Sequence, residues 1–117
     1  MSSALRRAPV PLAVMGAIFY LSAQSDPGPD LPAASRIVAH FAEYLALTLA
    51  WTWALAPALG RRALLVAVAI SLAYAASDEL HQSFVPGRDS DPLDVIVDAA
   101  GIATAAWLVV SRRQRRP

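Results

Sequence analysis

Cysteine is absent from this 117-residue chain, which excludes disulfides and thiolate metal sites. Lysine is absent as well, so all ten basic residues are arginine. Charge of either sign is scarce: charged residues make up 16% of the chain, against roughly 25% in an average soluble domain. A formal net charge of +1 removes the basic surplus that a nucleic-acid partner would require, and none is expected. Hydrophobic residues, at 56%, fill the space the charges leave, and the length suits a single domain spanning residues 1–117. These quantities point to an all-α protein solvated by lipid.

Four apolar stretches are separated by short polar connections. The first covers residues 8–25, with Pro9 and Pro11 where a first helical turn tolerates them. Its 18 residues rise about 27 Å, slightly short of a hydrocarbon core of roughly 30 Å. The second covers 37–59, with His40 and Glu43 near its start. The third covers 63–84, and its polar tail from Asp78 to Gln82 reads as the last turns of the same helix. The fourth covers 93–110, with Asp94 and Asp98 in its first turns. Pro27, Gly28 and Pro29, then Gly60, then Pro86 and Gly87 mark the connections as turns. A transmembrane bundle of about four helices, built as two hairpins, is predicted. A competing reading makes the first stretch a cleaved signal peptide with Ala23, Gln24 and Ser25 at the cut. That would leave an odd number of spans and break the arginine alternation.

Arginines 6, 7, 61, 62, 112, 113, 115 and 116 fall on one side of a four-span chain, and only Arg36 and Arg88 on the other. The positive-inside rule therefore predicts a multi-pass protein of the bacterial cytoplasmic membrane with both termini in the cytoplasm. Trp51, Trp53 and Trp107 lie toward the cytoplasmic ends of their spans, as interfacial anchors do. Arg112 to Arg116 would sit on anionic lipids of that leaflet. Every carboxylate and both histidines map to the opposite face.

Helices in lipid approach closely through small residues. Ala42, Ala46, Ala50, Ala54 and Ala58 form an i,i+4 stripe on the second span; Ala67, Ser71 and Ala75 on the third; Gly101 and Ala105 on the fourth. All are expected to face neighbouring helices. The polar ends would then converge. His40, Glu43 and Tyr44 share one face, as do Asp78, His81 and Gln82. Asp94 and Asp98, one turn apart, repel unless Arg88, a proton or a metal ion lies between them. Ionisable groups inside a span are costly and by default mark function.

Three readings of this constellation stand. One is a hydrogen-bonded cluster that only locks helix ends, with Arg88 bridging carboxylates. The second is a cation, metal or proton site drawn from His40, Glu43, Asp78, Glu79, His81, Asp94 and Asp98, whose donors suit several divalent ions. The third recognises a lipid or cell-wall head group. An amine-bearing ligand suits the acidic field better than a bare phosphate. A small cation- or proton-coupled transport component is the runner-up activity, opposed by the scarcity of polar residues below Thr48, Thr52, Ser71 and Thr104.

The run from Phe19 to Ser25, the pattern His40 to Tyr44, the run from Asp78 to Arg88, and Asp94, Asp98 and Gly101 together resemble the VanZ-like membrane proteins. The resemblance covers nearly the whole chain and is most specific between Asp78 and Gly101. It implies a multi-pass protein of the bacterial cell envelope, in a family whose namesake is associated with low-level resistance to the glycopeptide teicoplanin. Glu43, Asp78, Glu79, His81 and Asp98 are the expected catalytic groups, and His40, Tyr44, Gln82, Arg88 and Asp94 the expected substrate contacts. His40, Glu43, Asp78 and Asp98 are the candidate ligands should a divalent metal bind. The partner implied is the bilayer, together with a cell-wall or lipid-linked component.

Overall fold

The computed structural model describes residues 2–23, 33–86 and 92–116. These form helices α1 (Ser3–Arg7), α2 (Pro9–Ser22), α3 (Ala33–Leu59), α4 (Arg62–Gln82) and α5 (Pro92–Arg115), with no strand among the described residues. The expected all-α membrane bundle is present. Ser3–Ser22, Arg62–Gln82 and Pro92–Arg115 are each long and apolar enough to cross a membrane. The fourth rod, α3, is 27 residues long and touches all the others.

The first rod is longer than the expected 8–25. Helical structure begins at Ser3, capped by Ser2, whose hydroxyl accepts from the Leu5 N–H at 3.2 Å. Pro9 and Pro11 supply no N–H, so the rod is articulated at Ala8 instead of starting there; backbone bonds from Ala8 to Ala4 and from Leu12 to Ala8 hold the joint. Its other end is at Ser22, three residues short of the expected limit. Likewise α5 runs on through Arg112 and Arg113 to Arg115, because arginine is a good helix former whose head group reaches water on its own stem.

Pro57 lies inside α3 and cannot donate to the Trp53 carbonyl one turn back. Arg7 replaces the missing donor: its Nη1 donates to that oxygen at 2.8 Å, while the guanidinium carbon sits 4.7 Å from the centre of the Trp53 ring. This joins the start of the first rod to the end of α3. The chain then reverses at Gly60, whose φ of +57° is the left-handed conformation glycine adopts most readily after a helix.

Small residues bring α3, α4 and α5 together. Ala63, Ala67, Ser71, Ala75, Asp78 and Gln82 form one buried stripe along α4, and Asp94, Asp98, Gly101, Ile102 and Ala105 one along α5. At Gly101 the backbones of α3 and α5 come close: an added Cβ would stand 2.5 Å from the Phe41 carbonyl oxygen. The alanine stripe expected on α3 is not its inner face. Ala42, Ala46 and Ala58 are exposed, while His40, Tyr44, Leu47, Thr48, Thr52 and Ala54 are buried. Where a helix offers both alanines and polar groups to lipid, the polar groups must turn inward to find partners, and they set the rotation. Tyr20, Val38, Leu65, Ile96 and Trp107 face outward, an apolar exterior suited to acyl chains.

Candidate functional site

The polar cluster forms where α3 and α5 begin and α4 ends. On α3, Arg36, His40 and Tyr44 recur at intervals of four and so share one face. On α5 the same interval aligns Asp94 with Asp98, and on α4 it aligns Asp78 with Gln82. Close contact at Gly101 sets the α3 and α5 faces against each other, and the buried stripe of α4 carries Asp78 and Gln82. Asp98 is one turn above that glycine and His40 is adjacent to Phe41, so the backbone approach delivers the side chains.

His40 stands between the two α5 carboxylates. Its Nδ1 lies 2.9 Å from Asp98 Oδ1, and its Nε2 lies 3.8 Å from Asp94 Oδ2. Arg36 Nη2 donates to Asp94 Oδ2 at 2.6 Å. The repulsion expected between Asp94 and Asp98 is thus relieved from α3, by an imidazole and a guanidinium. Arg88, expected to bridge them, lies outside the described residues. Arg36 is the group that sequence reasoning left out of the site. It precedes the apolar run and reads as a flanking charge, although its position one turn before His40 places it on the site face.

Asp78 is held more loosely. It is 6% exposed, and its two hydrogen-bond partners, the Tyr44 hydroxyl and Gln82 Nε2, both stand 3.4 Å from Oδ2. Good O–H···O bonds are about 2.5–3.0 Å. Gln82 is fully buried, and its Oε1 has no hydrogen-bond partner among the described residues. His40, Asp78 and Asp98 each present a donor atom within 4.8 Å of the other two. All three are buried.

Among the described residues the charges do not balance: Asp78, Asp94 and Asp98 face one guanidinium, Arg36, which leaves two negative charges with a neutral His40 and one with an imidazolium. Removing a carboxylate from water costs several kcal/mol on general grounds, and attraction to a partner offsets that only with good geometry. Asp98 and Asp94 have such partners. Asp78 does not.

The remaining expected residues lie around this centre. Tyr44 is fully buried and reaches Asp78. Glu43 is half-buried on α3, outside the three-donor group. Glu79 and His81 are half-buried on α4 outside that group, although His81 was expected on the face of Asp78. The His81 ring stacks on Phe19 with centroids 4.6 Å apart, and its Nδ1 is 3.4 Å from the Ser22 hydroxyl, so it docks α4 on α2. Tyr74 ties the same two helices with a 2.7 Å bond to the Met15 carbonyl.

Below the cluster, the hydroxyls of Thr48 and Thr52 donate to the carbonyls of Tyr44 and Thr48 at 2.8 and 2.7 Å. Thr48 and Ser71 hydroxyls are 3.0 Å apart. Thr48 and Thr52 thus satisfy backbone oxygens of α3, and among the described residues no hydrogen bond links them to the Tyr44 hydroxyl. At the opposite end of the bundle, Arg112 and Arg115 line a groove with Leu49, Trp107 and Ser111.

Among known proteins, the family model described as VanZ/LLP1 matches residues 9–113. No curated protein and no solved structure matches the chain.

Proposed function

Because the chain belongs to the VanZ/LLP1 family, we propose that it is a cell-envelope protein whose α3–α4–α5 cluster binds, and positions for reaction, a polar group of a cell-wall or lipid-linked component. The cluster opens at the extracytoplasmic face of the bacterial cytoplasmic membrane, with both termini in the cytoplasm. Its engagement of that component lowers susceptibility to teicoplanin-type glycopeptides. Eight of ten arginines on the side opposite the carboxylates support the orientation.

One observation carries the reading: His40, Asp78 and Asp98 converge in a buried site with more negative charge than the other described residues neutralise. A cluster serving only to fix helix ends would be closed. Here Asp78 has long contacts only, and a buried amide oxygen beside it is unused. The surplus favours a cation at the site, whether carried by the envelope component or held between it and the protein. Transport of protons along α3 is disfavoured, because the Thr48 and Thr52 hydroxyls are spent on carbonyls.

The test is teicoplanin susceptibility of a sensitive bacterium expressing the chain, with the membrane level of each variant measured by immunoblot. Wild-type protein should raise the inhibitory concentration; Asp98→Asn and Asp78→Asn should abolish the increase at equal abundance. Equal protection by wild type and both variants would remove the cluster from the function.

A further inference from the structure

The cation that the cluster selects can be specified more closely, on the premise that the cluster is a ligand site. We propose that His40, Asp78 and Asp98, with the amide oxygen of Gln82 as a fourth donor, form a binding site for one divalent metal ion of the zinc or manganese class.

Three independent observations converge. First, donor atoms of the triad lie within 4.8 Å of one another. An ion about 2.0–2.2 Å from each of three or four ligands sets its donors roughly 3.3–3.8 Å apart. Side-chain rotations that draw the donors together by about 1–1.5 Å close the difference. Second, Gln82 is fully buried with Oε1 unsatisfied, while its Nε2 rests against Asp78 Oδ2. Such an oxygen costs about 1–3 kcal/mol unless something fills its place. An ion bound by the neighbouring Asp78 supplies the missing partner. Third, among the described residues two negative charges stay uncancelled when His40 is neutral, as a ligand must be, and a divalent ion cancels them.

The donor set narrows the identity. One imidazole nitrogen with carboxylate and amide oxygens is a borderline set, less suited to calcium and magnesium, which take oxygen ligands. The absence of cysteine removes the thiolates that select copper(I) and iron–sulfur clusters. Arg36 and Asp94 lie just outside as supporting groups, Asp94 within 3.8 Å of the His40 ring. A ligating His40 is neutral, so with the ion in place the charges of the described residues balance, and the half-buried Arg36 stands beside Asp94. The component admitted there would then carry an anionic head group, bridged by metal and guanidinium.

The experiment uses the full chain in detergent, stripped with a chelator and titrated with Mn²⁺ under electron paramagnetic resonance. About one Mn²⁺ should bind per chain, with electron–nuclear coupling to one imidazole nitrogen, and Zn²⁺ should displace it as the order of divalent affinities requires. His81→Ala should keep that nitrogen signal. Asp98→Asn should weaken binding by at least about tenfold, and Gln82→Leu should weaken it by a smaller factor. Absence of stoichiometric binding by the folded wild-type chain would overturn the proposal, as would loss of the nitrogen coupling in His81→Ala. If Mn²⁺ fails to bind while Asp98→Asn still abolishes teicoplanin protection, the metal is refuted and the envelope site stands. If Mn²⁺ binds and Asp98→Asn leaves protection intact, the metal site stands and the proposed function falls.

Discussion

Adding one methyl group at Gly101 tests whether backbone contact between α3 and α5 builds the site. A Cβ there would lie 2.5 Å from the Phe41 carbonyl oxygen, 3.2 Å from the Leu45 nitrogen and 3.3 Å from the Phe41 carbonyl carbon. These are backbone atoms, so no side chain can swing aside. To restore the tightest contact to about 3.2 Å, the helices must part by roughly 0.7 Å at that point. Asp98 is one turn away on α5, and the same displacement would stretch the 2.9 Å His40–Asp98 contact to about 3.6 Å, beyond hydrogen-bond range. Overfilling a tight interface costs about 1–3 kcal/mol, and loss of a charge-assisted bond adds about 1.5–3 kcal/mol. Gly101→Ala should therefore lower the melting temperature in detergent by several degrees and abolish teicoplanin protection, although no polar atom changes. Ala105→Ser, on the same face, serves as the packing control and should be far milder. A Gly101→Ala protein with wild-type melting and protection would mean that α3 and α5 are not in backbone contact, and the geometry derived for His40 would fail with it.

Other perturbations read separate parts of the molecule. Arg36→Ala leaves Asp94, among the described residues, with the 3.8 Å contact to His40; since the Arg36 side chain is one-third exposed, the loss should be modest, about 1–2 kcal/mol, and a double-mutant cycle with Asp94→Ala should recover a coupling of that size. Arg7→Ala strips the Trp53 carbonyl of the donor that Pro57 cannot supply; about 1–2 kcal/mol of stability should go, measured by thermal unfolding, and restoring a helical N–H with Pro57→Ala in the same chain should return much of it. Tyr74→Phe removes the 2.7 Å bond to Met15 and should speed amide exchange in α2 while leaving Mn²⁺ binding unchanged. Because the chain has no cysteine, a single one introduced at Gly60 or at Phe84 reports topology without background. Impermeant maleimide added to intact spheroplasts should label the second and spare the first, and the reverse result would invert the orientation.

Much of the bundle was legible in the residues. The apolar runs, their proline- and glycine-marked ends and the small residues of α4 and α5, Gly101 among them, all follow from what lipid demands of a helix. The rotation of α3 was misread. Alanine at every fourth residue is compatible with close approach, but it carries no penalty when turned to lipid, whereas Tyr44 and Thr48 carry a large one. Weighing the cost of exposure above the ease of contact would have chosen the right face. Arg36 was missed for a related reason: sequence distance from the carboxylates hides a pairing made across 58 positions. His81, three residues from Asp78 and expected on its face, was misplaced because the sequence does not show that Phe19 and Ser22 of α2 stand beside it and take its ring.

The length of α3 has a further consequence. Its 27 residues rise about 40 Å, some 10 Å beyond a typical hydrocarbon thickness, so the helix leans or projects, and small changes in bilayer thickness shift its terminal turns relative to the head groups. Arg36 and His40 occupy those turns. In a thin membrane they rise toward water, where charge attraction is screened; in a thick one they sink into a medium that strengthens every contact around them. Lipid composition would thus tune how tightly the helix mouth holds a charged guest, through depth alone.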